Sequence, residues 1–82
     1  MEESYLWKSG IIQSEMRLII EGAIALYEGD AVPLLGLANK SQQYDAADAF
    51  DTIGTALYGL REHVRNLQAA HRQEVLREVE GM

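Results

Sequence analysis

Residues 46–67 read AADAFDTIGTALYGLREHVRNL. Ala46, Phe50, Ile53, Leu57, Leu60, Val64 and Leu67 recur in alternating steps of four and three. That spacing lines side chains up on one stripe of an α-helix and repeats like the seam of a coiled coil. The next two seam positions hold His71 and Glu74, so the apolar register stops at Leu67, and Val75, Leu76 and Val79 form a shifted patch beyond it. The stretch predicts a long helix C over 42–80, with the seam as its packing face.

Working back from it, Ile12, Met16, Ile19, Ala23 and Leu26 repeat the same step, widened by Ile20, Ile24 and Tyr27. This predicts helix A over 4–28, with Ser4 as its N-cap. Gly10 and Gly22 weaken it, unless another helix approaches closely there. Gly29-Asp30 reads as its end, because glycine suits the left-handed residue just past a helix. Asp30 then caps a short apolar helix B over 31–39, with Pro33 in its first turn. Helix B has no polar face and must be covered.

The expected fold class is all-α. It is an antiparallel helical hairpin of two long helices joined by a short apolar connecting helix, in one domain spanning 1–82. At 1.5 Å per residue, helix C outruns helix A by about 20 Å. Either it breaks near 68–73, or its end packs on another subunit. A thin core and an unpartnered end favour a homo-oligomeric bundle through Phe50, Ile53, Leu57, Leu60, Val64 and Leu67.

The chain has 82 residues, 13 acids and 7 bases, for a net charge of −6. It has no cysteine, which excludes disulfides, thiol nucleophiles and thiolate metal sites. An acidic body argues against binding double-stranded nucleic acid, since phosphate contacts need clustered Lys and Arg. No apolar run approaches the roughly 20 residues of a membrane span. The acidic start lacks the basic region of a secretory signal. The expectation is a cytoplasmic protein with no membrane partner.

Five groups of residues could carry chemistry. Arg65-Asn66-Leu67-Gln68-Ala69-Ala70-His71 resembles the arginine, polar residue, four residues, histidine signature of HEPN ribonucleases. The resemblance implies Arg65 and His71 meeting across a dimer to cleave RNA. Two residues six apart on one helix differ by about 240° in direction, and do not share a face unless the helix bends. Ser41-Gln42-Gln43-Tyr44-Asp45 is similar to the motif of small helical-hairpin aspartyl-phosphate phosphatases, and reads equally as a helix start capped by Ser41. Asp45, Asp48 and Asp51 form an acidic face without the spacing of a calcium loop. Arg61, Arg65, Gln68 and Arg72, with Tyr58 at the upstream end, make a polar stripe that could hold an anion between two subunits. Tyr5 and Trp7 are candidate anchors near the N-terminus.

The function expected is that of a small acidic, non-enzymatic interaction protein. It self-associates and binds a protein partner, to regulate, chaperone or inhibit it. Partner binding would fall on Tyr58, Arg61, Arg65, Arg72, Asp45, Asp48 and Asp51. One alternative is an oligomeric binder of an anionic ligand such as a nucleotide, through the arginine stripe. The other is a HEPN-like ribonuclease using Arg65 and His71. No metal and no cofactor is expected.

Overall fold

The computed structural model describes the backbone of residues 2–81 and the side chains of residues 5–81. All its regular structure is helical: α1 (Glu2–Leu26), a π-helical turn (Tyr27–Ala31), α2 (Val32–Lys40) and α3 (Tyr44–Glu80). The class is all-α, as the 4-3 spacing implies.

Gly29-Asp30 does not end a helix. No glycine among the described residues has positive φ, and the chain stays right-handed helical from Leu26 through the π turn to Val32. The Val32 N–H donates to the Tyr27 carbonyl, a bond five residues back that widens the helix by one residue. Pro33 follows at once and has no N–H to donate. The wide turn carries the chain past the proline without breaking it. The connecting helix is therefore the continuation of α1, and Glu2–Lys40 is one rod of about 58 Å.

The added residue shifts the inward row by one. Ile24, Tyr27 and Ala31 face inward, then Leu35 and Ala38, while Leu34 turns outward.

α3 is unbroken through 68–73 and about 55 Å long. The two rods match each other and the 62 Å long axis of the molecule. No 20 Å overhang exists, because α2 covers the start of α3 and α1 reaches its end.

The rods join at Ser41-Gln42-Gln43. The Gln43 N–H donates to the Ala38 carbonyl at 2.8 Å, and the Gln42 N–H to the Asn39 carbonyl at 3.1 Å. This is the Schellman way of closing a helix, and it puts Gln42 in the left-handed region at φ 61°. Ser41 is thus the C-cap of α2. Gln43, whose side chain makes no cap bond, precedes α3 in place of the expected Ser41.

Contacts run in opposite order along the rods. Leu6 meets His71, Arg17 meets Gln68, and Tyr27 meets Gly54 and Tyr58. The row of α3 against α1 and α2 is Ala47, Phe50, Gly54, Leu57, Arg61, Val64, Gln68 and His71. Three of the seven expected seam residues lie in it. Phe50, Leu57 and Val64 are covered, whereas Ala46, Ile53, Leu60 and Leu67 are exposed.

The register is set at Gly54. A β-carbon there would fall within the Tyr27 ring, 2.6 Å from Cε1. The ring lies on the bare backbone, so Gly54 faces α1, and Ile53 is turned aside. The core is thin: Ile24, Tyr27, Ala47 and Val64 are its buried apolar side chains among the described residues.

Candidate functional site: two unlike sides of a helix pair

Along α1 and into the π turn the inward row is Leu6, Gly10, Gln13, Arg17, Ile20, Ile24 and Tyr27, again in steps of four and three, with the Arg17 side chain itself exposed. One flank of this row carries Ile12, Met16, Ile19, Ala23 and Leu26. The other carries Ile11, Ser14, Leu18, Glu21 and Glu28. In α3 the corresponding flanks are Ala46, Ala49, Ile53, Ala56, Leu60, His63 and Leu67, against Asp48, Asp51, Tyr58, Glu62, Arg65 and Arg72. When two helices run in opposite order, equivalent flanks fall on the same side of the pair. The Tyr58 hydroxyl donates to the Glu28 carboxylate at 2.9 Å, which brings the two polar flanks together. The apolar flanks therefore share the opposite side.

That apolar side has no Asp, Glu, Lys or Arg over 46–70 of α3 or over the flank from Ile12 to Leu26 of α1. Its large side chains face solvent: Ile19 is 71% exposed, Leu26 63% and Ile53 51%. Contiguous exposed apolar strips of this extent are uncommon on monomeric soluble chains.

The polar side is built around Tyr58. Its ring stands edge-on to Tyr27, with centroids 6.3 Å apart. The Arg61 guanidinium lies over its face, 5.2 Å from the centroid. The hydrogen bond to the Glu28 carboxylate raises the phenol's pKa above its ordinary value. Desolvation and the Glu28 charge add to this, and Arg61 opposes it.

Within one chain the arginine stripe is split between two directions. Arg61 is half-buried in the row facing α1, and Arg65 points outward to Glu62 at 3.9 Å across exposed surface. His71 points inward, and its ring Nε2–H donates to the Leu6 carbonyl at 2.8 Å. Gly10 makes room for that ring, since a β-carbon there would sit 3.1 Å from Cε1. Arg65 and His71 thus lie in different directions on one continuous helix. Asp45, Asp48 and Asp51 are exposed, the latter two beside a shallow hollow with Leu35, Asn39, Tyr44 and Ala47. Among the described residues no three or more of His, Cys, Asp and Glu group as a metal site would need. No helix there is long and apolar enough to cross a membrane.

The structure also brings together residues that the sequence left unconnected. Toward the free ends of the rods, Leu6, Trp7, Ile11, Leu18, Val75 and Val79 line a groove of about 720 Å³ on the polar side. A second hollow of about 330 Å³ adjoins it, lined by Gln13, Ser14, Arg17, Gln68 and Arg72. The two share Gly10, Ser14, His71 and Val75. The available signal was Gln13 and Arg17, two polar residues in step with an otherwise apolar row.

Comparison with protein-family models, curated proteins and solved structures finds no match to this chain.

Proposed function

We propose that the chain is a non-enzymatic interaction protein, an antiparallel hairpin that pairs with a second copy to form a four-helix bundle. The observation that carries this reading is the uncharged side bearing Ile12, Met16, Ile19, Leu26, Ile53, Leu60 and Leu67. The exposed parts of these seven side chains amount to on the order of 650 Å², and the flanking alanines extend the strip toward the ~800 Å² per partner of a standard interface. The alternation of Ala46, Ala49 and Ala56 with Ile53 and Leu60 offers the small and large positions that interdigitating helices use.

The occupant we favour is this chain itself. A two-rod unit only 17 × 15 Å across has one packed seam, and a self-complementary strip closes as a two-fold dimer. Of the seam residues expected to self-associate, Ile53, Leu60 and Leu67 keep that role. Phe50, Leu57 and Val64 serve the hairpin.

The polar side then remains outward in the dimer. Glu28, Asp48, Asp51 and Glu62 give it an acidic face suited to a basic protein partner, with Tyr58 and Arg61 at its centre.

The test is sedimentation of Leu60→Glu and Ile19→Glu beside Glu62→Gln. Each substitution on the apolar side is expected to halve the mass at micromolar chain concentration, and Glu62→Gln to leave it unchanged. Equal masses for all three contradict the reading.

A further inference from the structure

We infer that the groove at the free ends of the rods receives an amphipathic helix of a basic partner protein, apolar stripe inward, with a Lys or Arg at each end over Glu15 and Glu78. The inference rests on the reading of the polar side as the face for a basic protein, and gives that partner a shape and a seat. It does not depend on the dimer, because the groove opens on the opposite side of the pair from the apolar strip.

Two residues make the groove's floor. Gly10 has no side chain, and the His71 ring lies in the space that leaves. The ring bonds the Leu6 carbonyl at 2.8 Å and passes 3.1 Å from where a Gly10 β-carbon would stand. Trp7, Ile11 and Leu18 rise as one wall, Val75 and Val79 as the other. Trp7 is 72% exposed and Leu18 73%. Large apolar side chains bared along a groove are natural anchors for a partner.

The occupant's shape follows from the backbone. The regular structure is all helical and offers no sheet edge for an extended peptide to pair with. A helix brings its own backbone hydrogen bonds into an apolar groove.

The occupant's charge follows from the lining. Glu15 and Glu78 are the groove's acidic residues, and no Lys or Arg lines it. The His71 ring lies level with the stretch between Leu6 and Gly10. From that level Glu15 is about 10 Å along α1 and Glu78 about 10 Å along α3, in opposite directions because the rods are antiparallel. The two carboxylates thus stand on opposite walls, about 20 Å apart along the groove, the length of a helix of about 14 residues. Arg17 reaches Gln68, and Arg72 follows His71, so both guanidiniums lie between the two glutamates along the pair. The matching helix is therefore basic at its ends and carries no cation at its middle. A second copy of this chain is a poorer match, since its exposed apolar strip has no Lys or Arg to meet Glu15 and Glu78.

The probes are three peptides of about 16 residues, each with one leucine stripe and no aromatic residue. The first has lysines in its end turns and glutamines at its middle. The second has the same composition with the lysines at its middle, and the third has glutamates in place of the lysines. Trp7 is the chain's one tryptophan, so a blue shift of its emission reports occupancy in the full-length protein. Circular dichroism reports the helix that forms. The first peptide is expected to saturate, several-fold tighter than the second and roughly tenfold tighter than the third. Glu15→Gln and Glu78→Gln should each weaken it about two- to fivefold, the range of an exposed ion pair. Asp30→Asn, the same charge change at the other end of the rods, should leave it unchanged. Leu18→Asn, at an exposed position that the fold does not need, should weaken it about tenfold. Leu60→Glu should disperse the dimer and leave peptide affinity unchanged, so that the dimer and the groove fail separately. Equal affinity for the three peptides, indifference to Glu15→Gln, Glu78→Gln and Leu18→Asn, or loss of binding with Leu60→Glu would each overturn the assignment. Weakening by Glu62→Gln but not by Glu15→Gln would also overturn it, keeping a basic partner and seating it at Tyr58. A rise to four chains that Leu18→Asn reverses would give the groove to another copy instead.

Discussion

Gly54→Ala and Gly59→Ala are the same substitution, five residues apart on one helix, and they should have opposite signs. In an open helix interior, glycine to alanine stabilises by about 1 kcal/mol. Nothing lies within 4 Å of a β-carbon at Gly59, so that gain should appear in full. At Gly54 the β-carbon meets the Tyr27 ring, 2.6 Å from Cε1. The ring has little room to retreat, since Tyr27 is buried and its neighbour Tyr58 is tied to Glu28. Overpacking of this kind costs roughly 1–3 kcal/mol, and expelling an aromatic ring costs more. The net expectation for Gly54→Ala is destabilisation by about 1–2 kcal/mol. Urea unfolding followed by circular dichroism at fixed chain concentration reads both variants, fixed because self-association couples stability to concentration. In a Tyr27→Ala background the clash is gone, and Gly54→Ala should then stabilise by about 1 kcal/mol. Equal stabilisation by both substitutions in the unmodified chain would refute the Tyr27–Gly54 contact, and with it the register of the two rods.

Three further outcomes follow from the same geometry. Gln42→Gly removes a side chain from the left-handed position at the turn and should stabilise by about 1 kcal/mol in the same urea assay. Arg65→Ala removes one exposed, 3.9 Å ion pair, and should change stability by less than about 0.5 kcal/mol. Tyr58 should ionise above the ordinary tyrosine range in an ultraviolet pH titration, and Glu28→Gln should return it toward that range. The sign is that of an acid whose folded pKa is raised. The Tyr58 contribution is complete below the phenol's unfolded pKa and is lost as pH climbs through the folded one.

Helix content was legible because a 4-3 apolar repeat admits no other element. The packing register was not, for a reason visible in α3. Its apolar residues fill two adjacent stripes, Phe50, Leu57 and Val64 on one, and Ile53, Leu60 and Leu67 on the other. Taken together they read as a single seam. What separates them is Gly54, a residue that hydrophobicity ranks as nothing, and a tyrosine distant in sequence that needs its bare backbone. Arg61 and Gln68 hid the rest of the true row, since polar residues there read as a solvated stripe. The π turn escaped for a local reason. Gly29, Asp30 and Pro33 are each good helix punctuation, and only the unbroken backbone through Tyr27–Ala31 shows the helix widening instead of ending. The groove and its neighbouring hollow draw on both ends of the chain, Leu6 to Leu18 and Gln68 to Val79, which no local pattern connects.

The central claim is that the uncharged side of the pair is an interface with a second copy. Light scattering on a sizing column, from high to low micromolar chain, tests it most directly. A two-fold dimer gives twice the 9.2 kDa chain mass, falling toward one chain only on strong dilution. A mass of 9.2 kDa at every concentration would contradict it.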